Sequence, residues 1–406
     1  MRYNESMKIG IDIRNIGKNR TGDEVVFLNM VRELLKIDRE NEYLLFLDAR
    51  TDDELNLLRA RLGMTDGCRA GFVLLPARNK FDWNLWWVPR YLRAHAVDVY
   101  HTQYIVPFFT PRRTHIVTHI HDVSFRVYPQ YLSPTDRFFL NLLIPRSLRR
   151  ADAIIAPSEF TKREILRCYP VAEEKVSVAY NAVAPEFFQT ETLSETAQRE
   201  RTDEIRKKYH LPETYLLSVG TLQPRKNLPF LIELFSRLRK EKEGANLGLV
   251  LVGNREGHHV DRRIDETIER LRIGNSVVFP GFVDQSDLPI LMRNATLFVF
   301  PSRYEGFGIP LLEAMSQGVP VAASDTPALR EAGGDAALFF PTDDADRGVE
   351  TLRTACFSPS VRATLRERGY IRSKQFSWES AARSLLVTYE KICFHKGVDF
   401  GVPSKL

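Results

Sequence analysis

Short apolar runs of strand length alternate with stretches that carry apolar residues at helical spacing, and the alternation occurs twice along the chain. This pattern constrains the fold more than any single motif, because parallel strands need a crossover between them and a helix supplies it. The first series opens with Met7 to Ile13 (MKIGIDI), then Val25 to Leu35 as a helix, with Gly17 and Gly22 in the loop between. Strands at Tyr43–Leu47, Ala70–Leu75, Val97–His101, His115–His119, Ala153–Ala156 and Val176–Ala179 follow, with helices Thr51–Leu62, Thr135–Leu148 and one capped by Ser158. The second series begins at Tyr215, with strands at Leu216–Val219, Leu247–Val252, Val277–Pro280, Thr296–Phe300 and Val319–Ala323. The fold class is therefore α/β, built from two Rossmann-like domains. The polar, charged stretch QTETLSETAQRERTDEIRKK after Phe188 reads as their linker. The expected division is 1–190, a linker at 191–208, and 209–375. The amphipathic terminal helix (about 376–406) crosses back to the first domain.

The stretch Ser302 to Gly318 (SRYEGFGIPLLEAMSQG) carries most of the chemistry. It lies between two strands, Pro310 suits a first helical turn, and Gly318 suits a helix end. A strand, a glycine-bearing loop and a helix start in succession present backbone N–H groups to an anion or a hydroxyl. Glu305 precedes the helix and Glu313 sits on its second turn. Carboxylates of this kind accept hydrogen bonds from vicinal hydroxyls of sugars and riboses. In isolation the pair reads as a loop charge (Glu305) and a solvated helix residue (Glu313); the glycines and flanking strands shift the reading toward a site.

Arg225 and Lys226 stand between the strand Leu216–Val219 and the helix Leu228–Leu238, where two cations favour phosphate. His121 and Asp122 follow directly on the strand His115–His119, at the edge where open α/β sheets bind ligands. A capped turn with a packed imidazole is the structural alternative there. The first loop lacks G-x-G-x-x-G, so no dinucleotide fingerprint is present. The aromatic run Phe81 to Tyr91 (FDWNLWWVPRY) reads as core rather than a binding box. The helix Thr135–Leu148 is amphipathic, with Phe138, Phe139, Leu142 and Leu143 on its apolar face. Core packing accounts for that face, while the basic end (Arg146, Arg149, Arg150) offers contact with lipid head groups.

Composition removes several classes. Of the 406 residues, 44% are hydrophobic and 27% charged, ordinary for a globular chain, and no run approaches the roughly 18 apolar residues of a membrane span. No apolar leader precedes the first strand, so a cytoplasmic protein is expected. The net charge of +5 suits a phosphate-bearing ligand and is mild for a nucleic-acid binder; no nucleic acid partner is expected. Cys68, Cys168, Cys356 and Cys393 are isolated, without disulfide or zinc spacing.

GTLQPRKNL, GFVDQSDLP, SRYEGFGIPLLEAMSQGVPVAASD, IHDVSFRVYP and NAVAPEFF together resemble glycosyltransferase family 4, of the GT-B fold, over about residues 7 to 390. That resemblance implies two Rossmann-like domains facing each other across a cleft, and a retaining hexosyltransferase. Metal independence and no cofactor beyond the nucleotide-diphospho-sugar substrate are further implications. Glu305 would hold donor-sugar hydroxyls near the anomeric centre, Glu313 the ribose, and Arg225 with Lys226 the diphosphate. His121 would assist the oxocarbenium-like state. Gly306, Phe307, Gly308 and Ile309 would line the donor site, with amides of Phe307 and Gly308 offered to sugar or phosphate. Gly22 would belong to the first-domain phosphate loop. There the chain departs from the family: Thr21-Gly22-Asp23-Glu24-Val25 sets two acids where a G-x-G turn is common. The motif set resembles mannosyltransferases of polysaccharide and O-antigen assembly, implying GDP-mannose, with UDP-sugars open. The implied acceptor is a glycan or lipid-linked saccharide, with peripheral association at the inner membrane face. A non-catalytic nucleotide-sugar-binding regulator and a GT-B epimerase are the alternatives.

Overall fold

The computed structural model describes residues 6–18, 22–65, 67–188, 195–256 and 260–394. The chain divides into two compact units. One holds the chain up to Val123, Pro134–Tyr180 and the segment from Trp378 onward; the other holds Ser124–Ser133 and Asn181–Ser377.

The first unit is a seven-stranded parallel sheet: β1 (Lys8–Asp12), β2 (Glu42–Leu47), β3 (Ala70–Leu74), β4 (Val99–Gln103), β5 (His115–His119), β6 (Ala153–Ala156) and β7 (Val176–Val178), in the order β3-β2-β1-β4-β5-β6-β7. Ile11 pairs with Leu45 on one side and His101 on the other. The second unit repeats the winding with β8 (Tyr215–Val219), β9 (Gly248–Val252), β10 (Val277–Gly281), β11 (Leu297–Phe300), β12 (Val321–Ser324) and β13 (Leu338–Phe340), in the order β10-β9-β8-β11-β12-β13. Strands such as β9 and β11 are buried at every position, which is why they read as unbroken apolar runs: helices cover both faces of a parallel sheet. In each unit the strand order reverses next to the first strand, between β1 and β4 and between β8 and β11, and such reversals open a crevice at the carboxyl ends.

Three expectations need correction. The charged stretch after Phe188 is not a linker through to 208: Glu195–Lys208 is helical and belongs to the second unit, whose chain already begins at Asn181. Residues 191–194 lie outside the described residues. Asp287, almost fully buried, explains the helix, because it accepts from Arg201 Nη2 (2.7 Å), Lys208 Nζ (2.7 Å) and Tyr209 Oη (2.9 Å). A buried carboxylate left without such donors would be strongly destabilising.

The aromatic run Phe81 to Tyr91 is core only in part. Trp83 is fully buried and donates Nε1–H to Asp12 at 3.1 Å, with the Arg14 guanidinium 4.0 Å from its ring centroid. Phe81, Leu85 and Trp86 face solvent, the last two within a π-helical turn at Trp83–Trp87. On the helix Pro134–Arg150 the buried residues are Ile144, Ser147 and Leu148, while Phe138, Phe139 and Leu142 are exposed. The expected apolar face therefore does not pack into the core.

The helix Trp378–Phe394 lies in the first unit against the helix Gly22–Ile37, and Tyr389 Oη is 2.7 Å from His101 Nδ1. Residues 395–406 lie outside the described residues. In the second unit the helix Pro359–Ser373 packs on Ile309–Ser316 so closely that a Cβ at Gly369 would sit 3.1 Å from Met315 Cγ.

Candidate functional site

Two loops meet at the carboxyl edge of the second sheet, one leaving β8 and one leaving β11. Gly220, with φ of 152°, turns the first loop away from β8 toward Pro224–Lys226. Asn227 then takes the left-handed conformation (φ 56°, ψ 33°), which asparagine tolerates better than bulkier residues. Its side chain is held from two sides: Nδ2 donates to Thr342 O at 3.0 Å, and Oδ1 accepts from Arg303 Nε at 3.1 Å. Arg303 N also donates to Arg225 O at 2.9 Å. These bonds lock the β8 loop to the β11 loop.

Locked so, Arg225, Lys226 and Glu305 come together. Lys226 Nζ is 2.5 Å from Glu305 Oε1, and Arg225 Nη1 is 3.1 Å from Glu305 Oε2. Arg225 Nη1 also donates to Tyr304 O at 3.2 Å, and Lys226 Nζ lies 5.1 Å from the Phe300 ring centroid. Lys226 and Glu305 are both buried. Burial would raise the Glu305 carboxyl, but the Lys226 ammonium and Arg225 guanidinium outweigh it and hold it down at about 2. The carboxylate is therefore ionised throughout the neutral range, set between two cations. A small pocket beside the cluster is lined by Gly220, Thr221, Leu222, Lys226, Phe300 and Ser302.

Glu313 is the counterexample eight positions on. It is equally buried, and among the described residues no side chain or amide bonds its carboxylate; burial alone pushes it up to about 7. An unpartnered buried carboxylate is costly, and its presence calls for a reason beyond packing. Gly308, with φ of 122°, sets the start of the Ile309–Ser316 helix that carries Glu313. A Cβ there would meet Leu329 at 2.9 Å, so only glycine fits on both counts. Gly306 and Phe307 are buried, and Phe307 packs edge-on against Phe376 at 5.1 Å. Ile309 opens the helix, where the first amides have no intrahelical acceptor.

His121 belongs to the first unit, just past β5. Its Nε2 is 3.1 Å from Gln103 Oε1 and 3.9 Å from Asp23 Oδ1. Its ring stacks on His119 (centroids 4.5 Å apart, 25° between planes), and His119 in turn lies 6.0 Å from His101, nearly parallel. Phe27 touches all three imidazoles with its ring. Burial drives His101 down to about 3 and His119 well below its ordinary value, so both are neutral. Neither ring nitrogen of His119 has a hydrogen-bond partner among the described residues. Sequence reasoning did not single out this stack. The alternation of histidines in His119-Ile120-His121 was its one visible sign.

Gly22 is exposed and begins the Gly22–Ile37 helix, while Thr21 lies outside the described residues. Of the two acids after it, Glu24 turns inward, accepting from Gly17 N at 2.9 Å and from Arg61 Nη2 at 3.1 Å. Only Asp23 remains near the His121 ring.

Comparison with known proteins gives the arrangement its context. Residues 201–372 match the profile of Glycosyl transferases group 1, and residues 21–187 that of Glycosyltransferase Family 4. The O-antigen chain mannosyltransferase B of Escherichia coli is 32% identical over 302 residues, 74% of this chain and 76% of that protein. Among solved structures, a glycosyltransferase from Rickettsia africae superposes with a TM-score of 0.71 at 17% identity, covering 97% of this chain and all of that one. HepE from Anabaena, solved with UDP-glucose, gives 0.70 at 18% identity, over 95% of this chain and all of that one. With two parallel-sheet Rossmann-like units of the GT-B fold, each matched by its own profile, this chain belongs to glycosyltransferase family 4 and is a hexosyltransferase.

Proposed function

We propose that the enzyme moves a mannosyl group from GDP-mannose, with retention, onto a glycan or lipid-linked saccharide during polysaccharide or O-antigen assembly. The observation that carries the donor side is the buried Glu305 carboxylate held between Lys226 and Arg225, with the unpartnered Glu313 about one turn beyond the helix start. The mannosyl assignment is supported by the name of the Escherichia coli relative aligned above, and a nucleotide-sugar donor by the ligand of the HepE structure.

In this reading Arg225 and Lys226 face the diphosphate. As the bond from the anomeric carbon to phosphate breaks, the electron pair goes to a phosphate oxygen, and the two cations stabilise that charge where a divalent metal would otherwise be needed. Glu305 takes donor-sugar hydroxyls and orients the ring. Glu313 accepts from the ribose diol, and Gly306, Phe307, Gly308 and Ile309 shape the floor between them. His121 and Gly22 keep the roles that the family resemblance implies, support of positive charge on the sugar and part of a phosphate loop. The acceptor hydroxyl bonds to the anomeric carbon, and its proton leaves with the nucleoside diphosphate.

Incubating the purified protein with GDP-mannose and a lipid-linked saccharide tests this. The expected result is GDP release coupled to an α-linked product, abolished in Glu305→Gln. Donor binding without turnover on any such acceptor would instead favour a regulatory protein, and a changed sugar without transfer an epimerase.

A further inference from the structure

The two acids of the first loop, which set this chain apart from the family's glycine turn, have separate destinations. Glu24 is buried and committed to Gly17 N and Arg61 Nη2. The Asp23 side chain stays half exposed, and its Oδ1 lies 3.9 Å from His121 Nε2. From the carboxyl end of β4, Gln103 Oε1 lies 3.1 Å from the same nitrogen. Two oxygens thus converge on one ring atom, one from the first turn of the helix Gly22–Ile37 and one from a strand end.

Packing fixes where this ring lies but not where its proton sits. His119 stacks on it at 4.5 Å, the Phe27 ring meets it edge-on at 5.9 Å, and the Tyr104 ring is tilted against it at 5.6 Å. None of these contacts distinguishes the two ring nitrogens. In a neutral imidazole one nitrogen carries hydrogen and the other a lone pair, and hydrogen bonds choose between them. The Gln103 amide alone is a weak selector, since turned over it would offer N–H in place of oxygen. An ionised carboxylate has no hydrogen to offer. Facing Asp23, a lone pair on Nε2 would meet negative charge, whereas an N–H is attracted. Asp23 therefore also sets which way the Gln103 amide turns. Nδ1 keeps the lone pair, and among the described residues it makes no hydrogen bond.

We propose that Asp23 is a positioning residue which, with Gln103, holds the His121 proton on Nε2, so that Nδ1 meets the ligand as an acceptor for a sugar hydroxyl. The sugar at that nitrogen rests on the function proposed above; the tautomer does not. A lone pair there suits a site where the sugar gains positive charge, because an N–H would turn the positive end of its dipole toward that charge.

Ring-nitrogen NMR of the histidine-labelled full chain at about pH 8, above the ordinary imidazole range, reads the proton's position without donor or acceptor. The His121 signals are those missing from His121→Asn. In the wild type, Nε2 is expected to be the protonated nitrogen. In Asp23→Asn, whose amide can offer N–H, a mixture with the Nδ1–H form is expected; kcat should fall by about tenfold and donor KM stay within about twofold. Asp23→Asn should melt with the wild type, because the side chain is half exposed. Adding Gln103→Glu to Asp23→Asn restores a group that only accepts, and should return Nε2–H and most of kcat, a recovery that a merely structural role would not give. A protonated Nδ1 in the neutral wild-type ring, or an unchanged tautomer in Asp23→Asn, overturns the proposal. The expected tautomers in a protein that transfers no sugar would uphold the part played by Asp23 and overturn the proposed function instead.

Discussion

At the carboxyl edge of the first sheet three imidazoles stack from His101 through His119 to His121, the first two kept neutral by burial; at the same edge of the second sheet a carboxylate is set against two cations. Both edges lie where the strand order reverses, so the winding of the chain creates each crevice and the residues decide its electrostatics. The first edge fixes the position of a ring by packing. The second fixes a charge, and its geometry depends on loops braced by Asn227 and Arg303. Within the second edge the contrast recurs in miniature: Glu305 and Glu313 are equally buried, yet one is driven to about 2 by its cations and the other to about 7 by burial without partners.

The comparison breaks most severely at Glu305. Glu305→Gln keeps the shape, removes the charge and leaves Lys226 and Arg225 facing a neutral amide; turnover should fall by about 10²–10³-fold, on the scale of other deleted transition-state contacts. The native carboxyl lies below its unfolded value, so its stabilisation is present above about pH 4.5 and is lost as pH falls toward 2. Acid melts of wild type and variant should therefore converge at low pH. Turnover within a few-fold of wild type would remove Glu305 from the reaction.

Glu313→Gln should act in the opposite sense on stability. Its folded value of about 7 lies above the unfolded carboxylate value, so its contribution is complete below about pH 4.5 and is lost as pH rises through 7. At pH 8 the ionised, unpartnered carboxylate costs on the order of 3 kcal/mol. The glutamine variant should melt higher than wild type at pH 8 and equally at pH 4.5, while binding donor about tenfold more weakly, as expected for a lost charged hydrogen bond. In the wild type, donor affinity should rise between pH 6 and 8, because a carboxylate accepting two hydroxyls binds better ionised. A wild type that melts above the variant at pH 8 would mean that the carboxylate has a partner.

The smallest effect belongs to the imidazole stack. His119→Thr removes the ring against which His121 lies, and kcat should fall by about tenfold with donor KM little changed, since the loss concerns placement and not ground-state binding. His119→Phe supplies an aromatic surface without buried ring nitrogens and should recover most of the loss, with stability monitored by thermal melting. Equal kcat in all three proteins would leave the stack a matter of core packing only.

Much of the fold was legible because parallel strands covered on both sides are short, apolar and separated by amphipathic helices, as in β9 (GLVLV) and β11 (LFVF). The site was legible as separate pieces. Arg225 and Lys226 precede Glu305 by some eighty residues, and nothing local announces that they pair with it; the joining bonds run through Asn227 and Arg303. Glu24 looked like a charge in a phosphate loop because its true partners, Gly17 N and Arg61, are set by how the helix meets β1 and the helix Asp52–Arg61. The stretch at 195–208 looked like a linker because nearly all its side chains are polar: Ile205 is its buried apolar residue, and Arg201 and Lys208 turn to the buried Asp287. Phe138 and Leu142 read as core because helical spacing reports an apolar face and not what covers it.

Titrating GDP-mannose into the wild type and into Lys226→Met by calorimetry tests most directly the claim that the charged edge of the second unit holds the donor. The account predicts saturable binding to the wild type, stronger than that of a UDP-sugar, and a loss of about 10-fold or more in Lys226→Met, in line with the removal of a charged contact to phosphate. Unchanged binding by a folded Lys226→Met protein, or no binding of any nucleotide sugar to the wild type, would contradict it.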